Sequence, residues 1–262
     1  MRLPASQGLV PELLVRASSP STNAELAALA RAGDLDSFTT LVTDDQTAGR
    51  GRLDRTWVAP AGSALAISVL IVPRSVDHAL PLDRFGWLAI AAGVAMTETI
   101  AEVLPTASTG FKWPNDVQVD GRKICGVLAE LLPERGAVVL GAGVNLSMTD
   151  AQLPVPTATS VAIEGGTADA DTVLSGYLEH LQRLVIGYFV ADGDAEASGL
   201  AARARELCTT LGRDVQVELP DGRLLEGRAT ALDADGRLVV RDADGAEHPV
   251  AAGDVTHARI RE

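Results

Sequence analysis

Two hydrophobic periods alternate along this chain. Ser21-Thr22-Asn23-Ala24-Glu25 opens a helical pattern that runs to about residue 32, where Gly33 supplies a stop. Thr22 and Glu25 have the spacing of a capping box. β-Branched and aromatic residues at 38–43 predict a strand before Asp44-Asp45, and a nearly continuous apolar run at 64–72, closed by Pro73, predicts a buried strand. Asp83 is placed to cap a long helix reaching about residue 104, with Trp87, Ile90, Ala91, Val94, Thr97 and Ile100 at helical spacing. Strand signals follow at 111–113, 117–119, 122–132 and 137–146, with Asp120-Gly121 a two-residue hairpin turn. Helical signals return at 171–189 and 195–207. Residues 46–62 carry Gly, Arg and Pro without apolar period and read as a loop.

The last fifty residues change character. Short strands at 214–219, 224–232, 238–241 and 248–250 are separated by Asp221-Gly222, Asp235-Gly236 and Asp244-Gly245, the regular spacing of a small barrel. The reading is an α/β (α+β) domain over 1–211 with a mostly antiparallel or mixed sheet, followed by a small β-barrel domain over 212–262.

With 262 residues, 47% of them hydrophobic, the chain has enough apolar material for one large domain or one with a small companion. The formal net charge is -13, and the segment from residue 213 carries 7 Arg against 11 Asp plus Glu, so binding to nucleic acid through bulk charge is not expected. The N-terminus lacks a signal-peptide pattern, and no run of the length a membrane span needs is free of charge; a soluble cytoplasmic protein with no membrane partner is expected. Cys125 and Cys208 form no paired motif, and the four His show no ligand spacing, so a structural zinc site is not expected and both cysteines read as small buried hydrophobes.

Scarcity supplies the sharper filter. Of 22 basic residues only Lys112 and Lys123 are lysine, and the only asparagines are Asn23, Asn115 and Asn145. Pressure against Lys and Asn leaves survivors where a substitute does not serve, and each of the five falls inside one of five distinctive segments, of which only the arginine loop holds none. Gln46-Thr47-Ala48-Gly49-Arg50-Gly51-Arg52, with Arg55 and Trp57 close behind, joins backbone freedom to forked cationic donors suited to phosphate or carboxylate, and Trp57 offers a flat face for an adenine. A solvated arginine loop is the plain alternative. Lys112-Trp113-Pro114-Asn115-Asp116 joins a point charge for phosphate to a carboxylate able to ligate Mg²⁺, beside the alternative of a simple turn. In Gly121-Arg122-Lys123-Ile124-Cys125-Gly126-Val127-Leu128-Ala129-Glu130 a lysine opens a strand that alternates poorly, and Gly126 within it suggests close approach of a ligand or of backbone. Gly141-Ala142-Gly143-Val144-Asn145 ends a strand. Ser21-Thr22-Asn23 is a helix start able to receive a polar ligand group.

Together, in the order STN, QTAGRGRxxRxW, KWPNDV, GRKxxGxLxE and GxGVNL, these segments resemble biotin–protein ligases across essentially the whole chain. The resemblance implies a mixed sheet with helices, like that of class II aminoacyl-tRNA synthetases, and a small C-terminal SH3-like β-barrel. It implies an ATP- and Mg²⁺-dependent enzyme, a biotin–[biotin carboxyl-carrier protein] ligase. The biotin carboxylate attacks the α-phosphate of ATP to give biotinyl-5′-AMP, and a carrier-protein lysine then takes the biotinyl group. By the same resemblance Ser21, Thr22, Asn23, Gln46, Arg50, Gly51, Arg52, Lys123 and Gly126 serve biotin. Arg52, Trp57, Lys112, Asn115 and Asn145 hold ATP or the adenylate. Lys123, Arg52, Lys112 and Asp116 are the catalytic set, with Asp116 at the metal. The partners implied are biotin, ATP and the carrier protein of an acyl-CoA carboxylase; monomer and homodimer both stay open. A lipoate– or octanoate–protein ligase and a non-enzymatic biotin-sensing protein are the alternatives.

Two departures stand out. Asp54 occupies the place of a Gly in the usual GRGRxG, which puts a carboxylate inside the arginine loop and bears on its mobility. Some members carry an N-terminal DNA-binding domain, whereas only about twenty residues precede STN here; with the acidic balance this predicts no operator binding.

Overall fold

The computed structural model describes residues 1–52, 55–73, 79–167, 169–219, 222–251 and 254–257, without the side chains at 83 and 254–257. The strands β1 (Leu13–Val15), β2 (Thr40–Thr43), β5 (Ala64–Ile71), β6 (Thr109–Lys112), β7 (Asp116–Val119), β8 (Arg122–Leu132) and β9 (Ala137–Asn145) form the main sheet. Their spatial order is β1-β2-β5-β9-β8-β7-β6. The β1–β2 pair is parallel and the others are antiparallel, which is the mixed sheet expected.

Both faces of this sheet are covered, which explains the unbroken apolar runs. On β5, Leu65, Ile67, Val69 and Ile71 join the core with α3 (Gly86–Val103) and α4 (Ala170–Val190). On the opposite face Leu70 packs with Leu26, Ala27 and Ala30 of α2 (Thr22–Ala32). Among the described residues α3 alone is long and apolar enough to span a membrane, and most of it is buried as a core helix. Both cysteines are buried and unpaired.

Several boundaries move for local reasons. The strand predicted from residue 38 begins at Thr40, because Phe38 has φ +71° and cannot continue an extended chain. The helix predicted from residue 195 begins at Leu200, with Gly199 at φ +79° ahead of it. The long helix begins at Gly86 after a short 3₁₀ turn, Leu82–Phe85, and the predicted cap by the Asp83 side chain lies outside the described residues. Ser21, not Thr22, caps α2, accepting from the Ala24 N–H at 3.4 Å; the Thr22 hydroxyl is used elsewhere, as shown below. The segment ahead of α2 contains the short helix α1 (Pro4–Gln7) and β1. The predicted 46–62 loop contains a small hairpin of β3 (Gly49–Arg50) and β4 (Thr56–Trp57).

After α5 (Leu200–Leu207) come five antiparallel strands, β10 (Asp214–Glu218), β11 (Leu224–Leu232), β12 (Leu238–Arg241), β13 (Glu247–Val250) and β14 (Asp254–His257), in the order β13-β12-β11-β10-β14. This is the expected small C-terminal β-domain.

Candidate active site

A cleft of about 260 Å³ opens on the α2 face of the main sheet. Its floor is made of small residues. Ala66, Gly141, Gly143 and Gly126 line it from β5, β9 and β8, and larger side chains lie flat where their side chains would be. A Cβ on Gly141 would meet the Asn23 amide, and one on Gly143 would come within 2.8 Å of the Trp57 indole. The G-x-G of β9 therefore follows from strand alternation: each glycine on the cleft face makes room for one site side chain.

At one end of the cleft amide and hydroxyl groups interlock, with one ion pair behind them. Gln46 Oε1 accepts from the Thr22 N–H at 2.8 Å and from the Thr22 hydroxyl at 3.0 Å. The buried Ser68 hydroxyl of β5 lies 2.8 Å from Thr22 Oγ1 and donates to Asn23 Oδ1 at 2.6 Å. Asn23 Nδ2 donates to the Leu128 carbonyl at 3.1 Å and to Glu130 Oε1 at 3.0 Å. Glu130 also accepts from Arg50 at 2.9 Å, which ties the β3–β4 hairpin to this wall.

The other end is charged. Lys123 Nζ lies 2.5 Å from Asp116 Oδ1. A β-bulge aims the lysine: Val117 pairs with Cys125 and Gln118 with Lys123, which leaves Ile124 without a partner across β7. Without that extra residue, strand alternation would turn Lys123 toward the buried face of Cys125. Instead its amine lies over Gly126, where a Cβ would sit 3.1 Å from Nζ. The backbone of Lys123 is clamped by the 157–159 segment, its N–H donating to Thr157 and its carbonyl accepting from Thr159, both at 2.8 Å. Arg52 donates to Asn115 Oδ1 at 3.2 Å, Asn115 Nδ2 to the Val127 carbonyl at 3.0 Å, and Asn145 Nδ2 to the Thr159 carbonyl at 2.9 Å. Burial pushes the Cys125 thiol up to about 12, so it stays protonated and is no nucleophile at neutral pH.

The family model described as biotin/lipoate A/B protein ligase family matches residues 15–145, and that of the biotin protein ligase C terminal domain matches residues 210–257. A biotin–[acetyl-CoA-carboxylase] ligase of Mycobacterium tuberculosis is 40% identical over 252 residues, 95% of this chain and 90% of that protein. The chain belongs to the biotin protein ligase family. Within this family, the bifunctional ligase/repressor BirA of Escherichia coli is 28% identical over 241 residues, 90% of this chain and 71% of its own. The solved structure of biotin protein ligase from Aquifex aeolicus in complex with biotin and ATP matches with TM-score 0.77 and 22% identity, over 95% of this chain and 100% of that one, a likeness of fold.

The cleft of this family member gathers Ser21, Thr22, Asn23, Gln46, Arg50, Gly51, Arg52, Trp57, Asn115, Asp116, Lys123, Gly126 and Asn145. Lys112 is not among its lining residues. It ends β6, paired in register with Asp116, and is half-buried beside the cleft. Leu53 and Asp54 lie outside the described residues. Sequence reading passed over two contributors. Ser68 is the one hydroxyl in the apolar run of β5, which is its signal in the sequence; Glu130 closes the GRKxxGxLxE motif, and its role comes from the convergence of Asn23 and Arg50 on it.

Proposed function

We propose that this protein is an ATP-dependent ligase that converts biotin to biotinyl-5′-AMP and transfers the biotinyl group to a lysine of the carrier domain of acetyl-CoA carboxylase. Family membership supports this, and one observation of this chain carries it: a neutral amide- and hydroxyl-lined pocket and a cationic end meet at Lys123 and Gly126 in one cleft. A ureido ring presents two N–H donors and a carbonyl acceptor, and Thr22, Asn23 and Gln46 offer matching acceptors and donors, with the buried Ser68 hydroxyl behind them holding Thr22 and Asn23. A dithiolane offers these groups neither donor nor acceptor, which favours biotin over lipoate.

In the first step a carboxylate oxygen of biotin bonds to the α-phosphorus of ATP as the bond to the β-phosphate bridging oxygen breaks, and pyrophosphate leaves. Two anions must approach, so the protein contributes positioning and charge. Lys123, at the junction, takes the biotin carboxylate and the α-phosphate. Doing so exchanges its partner Asp116 for substrate. Arg50, Gly51 and Arg52 cover biotin and the adenylate; Trp57, Asn115 and Asn145 hold the nucleotide; Lys112, beside the cleft, supports the phosphate end. In the second step the carrier lysine amine attacks the biotinyl carbonyl, the acyl–phosphate bond breaks, and AMP leaves. A closed arginine hairpin keeps water from the anhydride meanwhile.

Mg²⁺ fits this site only together with nucleotide. No group of three or more His, Cys, Asp or Glu with metal-site geometry occurs among the described residues, whereas Mg²⁺ ordinarily takes one or two carboxylates plus phosphate oxygens. Asp116 would hold it, and bound there it would neutralise phosphate charge. We assign residues 1–211 to the catalytic domain and 212–262 to the small domain, a division supported by the two separate sheets. A cytoplasmic setting agrees with the two unpaired cysteines.

The test is acid-dependent ATP–pyrophosphate exchange. Exchange supported by biotin and not by lipoate or octanoate is the result expected; exchange supported by lipoate alone would overturn the assignment.

A further inference from the structure

Trp113 belongs to the KWPND motif, yet its side chain does not line the cleft. It is 2% exposed, and its indole N–H donates to the main-chain carbonyl of Gly236 at 3.1 Å, in the turn between β11 and β12. The same turn takes a second indole, since Trp87 of α3, 1% exposed, donates to the Ala234 carbonyl at 2.8 Å. The turn is preformed to present these carbonyls. Asp233 Oδ1 accepts from the Asp235 N–H at 3.0 Å and the Arg237 N–H at 2.9 Å, and Gly236 takes φ +77°. It is also closely seated: a Cβ on Gly236 would come within 2.8 Å of Ile90 Cδ1, and one on Gly86 within 2.5 Å of the Asp235 carbonyl.

The backbone of Trp113 is held by the segment leading into the small domain. Its N–H donates to the buried Thr210 hydroxyl at 3.1 Å, and the Thr209 N–H donates to the Phe111 carbonyl at 2.9 Å, so residues 208–210 run along β6 at the edge of the main sheet. Beyond Trp113-Pro114 the chain enters the cleft directly: Asn115 accepts from Arg52, and Asp116 meets Lys123.

We infer that Trp113 is a positioning residue for the nucleotide end of the cleft. Fixed between the Gly236 carbonyl and the Thr210 hydroxyl, it sets the placement of Asn115 and Asp116. A buried donor is costly to leave unpaired, so these two bonds hold the residue in one orientation. Small displacements of groups that position reactants cost rate out of proportion to their size. Trp87 bonds to the same turn but leads nowhere in the cleft, which makes it the matched control. The inference rests on the ligase reading above.

The experiment compares Trp113→Phe with Trp87→Phe in the full chain, by thermal unfolding, biotin-dependent ATP–pyrophosphate exchange and calorimetric biotin binding. Both variants should lose thermal stability. Only Trp113→Phe should raise KM for ATP or lower kcat, by about fivefold or more, with biotin Kd held within about twofold. Trp87→Phe should keep its ATP parameters within about twofold of wild type. If Trp113→Phe fails to fold, Thr210→Val carries the test, with a rise in KM for ATP expected. A folded Trp113→Phe (or, in its place, Thr210→Val) with wild-type ATP parameters, or equal loss of ATP use in both tryptophan variants, would overturn the inference. Absence of biotin-dependent exchange in the wild-type chain would instead count against the ligase reading itself.

Discussion

The ammonium of Lys123 lies 2.5 Å from the carboxylate of Asp116, at the point where the neutral and charged ends of the cleft meet. The pair keeps a cation in the reaction centre without an anionic ligand present, and substrate takes the place of one partner. Lys123→Ala should therefore lower the rate of biotinyl-5′-AMP formation by about 10²–10³, the usual consequence of removing a group that stabilises developing negative charge. Single-turnover adenylation is the measurement, and a rate near wild type would remove Lys123 from its role.

Arg52 reaches Asn115 across the mouth of the cleft, from the hairpin that covers it. Arg52→Gly should speed dissociation of biotinyl-5′-AMP by about 10- to 100-fold, the worth of one or more hydrogen bonds to a charged group. Release followed by stopped flow tests this; an unchanged off-rate would leave the covering hairpin without a function in retention.

The two glycines of β9 should separate the substrates. Gly143→Ala places a methyl where Trp57 lies, and Gly141→Ala places one where Asn23 lies. Overpacking of this kind typically costs about 1–3 kcal/mol at the displaced group. The first variant should weaken ATP and spare biotin, and the second the reverse, by calorimetry with each ligand. Parallel losses in both variants would contradict the placement of the two ends.

Sequence reading found the charged end more completely than the neutral one, for a physical reason. Lys123, Arg52 and Asp116 carry chemistry in their residue type, so scarcity and spacing expose them. Ser68 is ordinary in itself and matters only because β5 sets it under Thr22 and Asn23. The poor alternation of β8 was visible, but its cause, the bulge at Ile124, needs the register against β7. Lys112 shows the converse: a rare residue in a specific motif whose strand ends beside the cleft rather than on its wall. The arginine loop read as irregular because a two-residue strand is too short to show a period.

Ser68→Ala should weaken biotin binding by roughly 1–3 kcal/mol, since Asn23 Oδ1 loses its donor in a buried setting. ATP binding should be spared. Biotin affinity equal to wild type would show that the Ser68 hydroxyl does not hold Asn23 for biotin.

Acid should loosen the N-terminal segment. Burial of Asp171 opposes its ionisation, but hydrogen bonds from the Ser6 side chain and the Ala5 and Ser6 N–H groups outweigh it and hold the carboxyl below its ordinary value of 3.8. Its stabilising contribution is complete above that value and disappears as pH falls through the lower folded-state value. Tm of wild type should exceed that of Asp171→Asn at pH near 6, with the gap closing as pH drops below about 4. A gap independent of pH would contradict this origin.

The most direct test of the whole account is transfer. Purified protein is incubated with biotin, MgATP and an acetyl-CoA carboxylase carrier domain, and the carrier is weighed by mass spectrometry. The account predicts one added biotinyl group, dependent on ATP and lost when the acceptor lysine is replaced by arginine. An unmodified carrier, or modification by lipoate but not biotin, would contradict it.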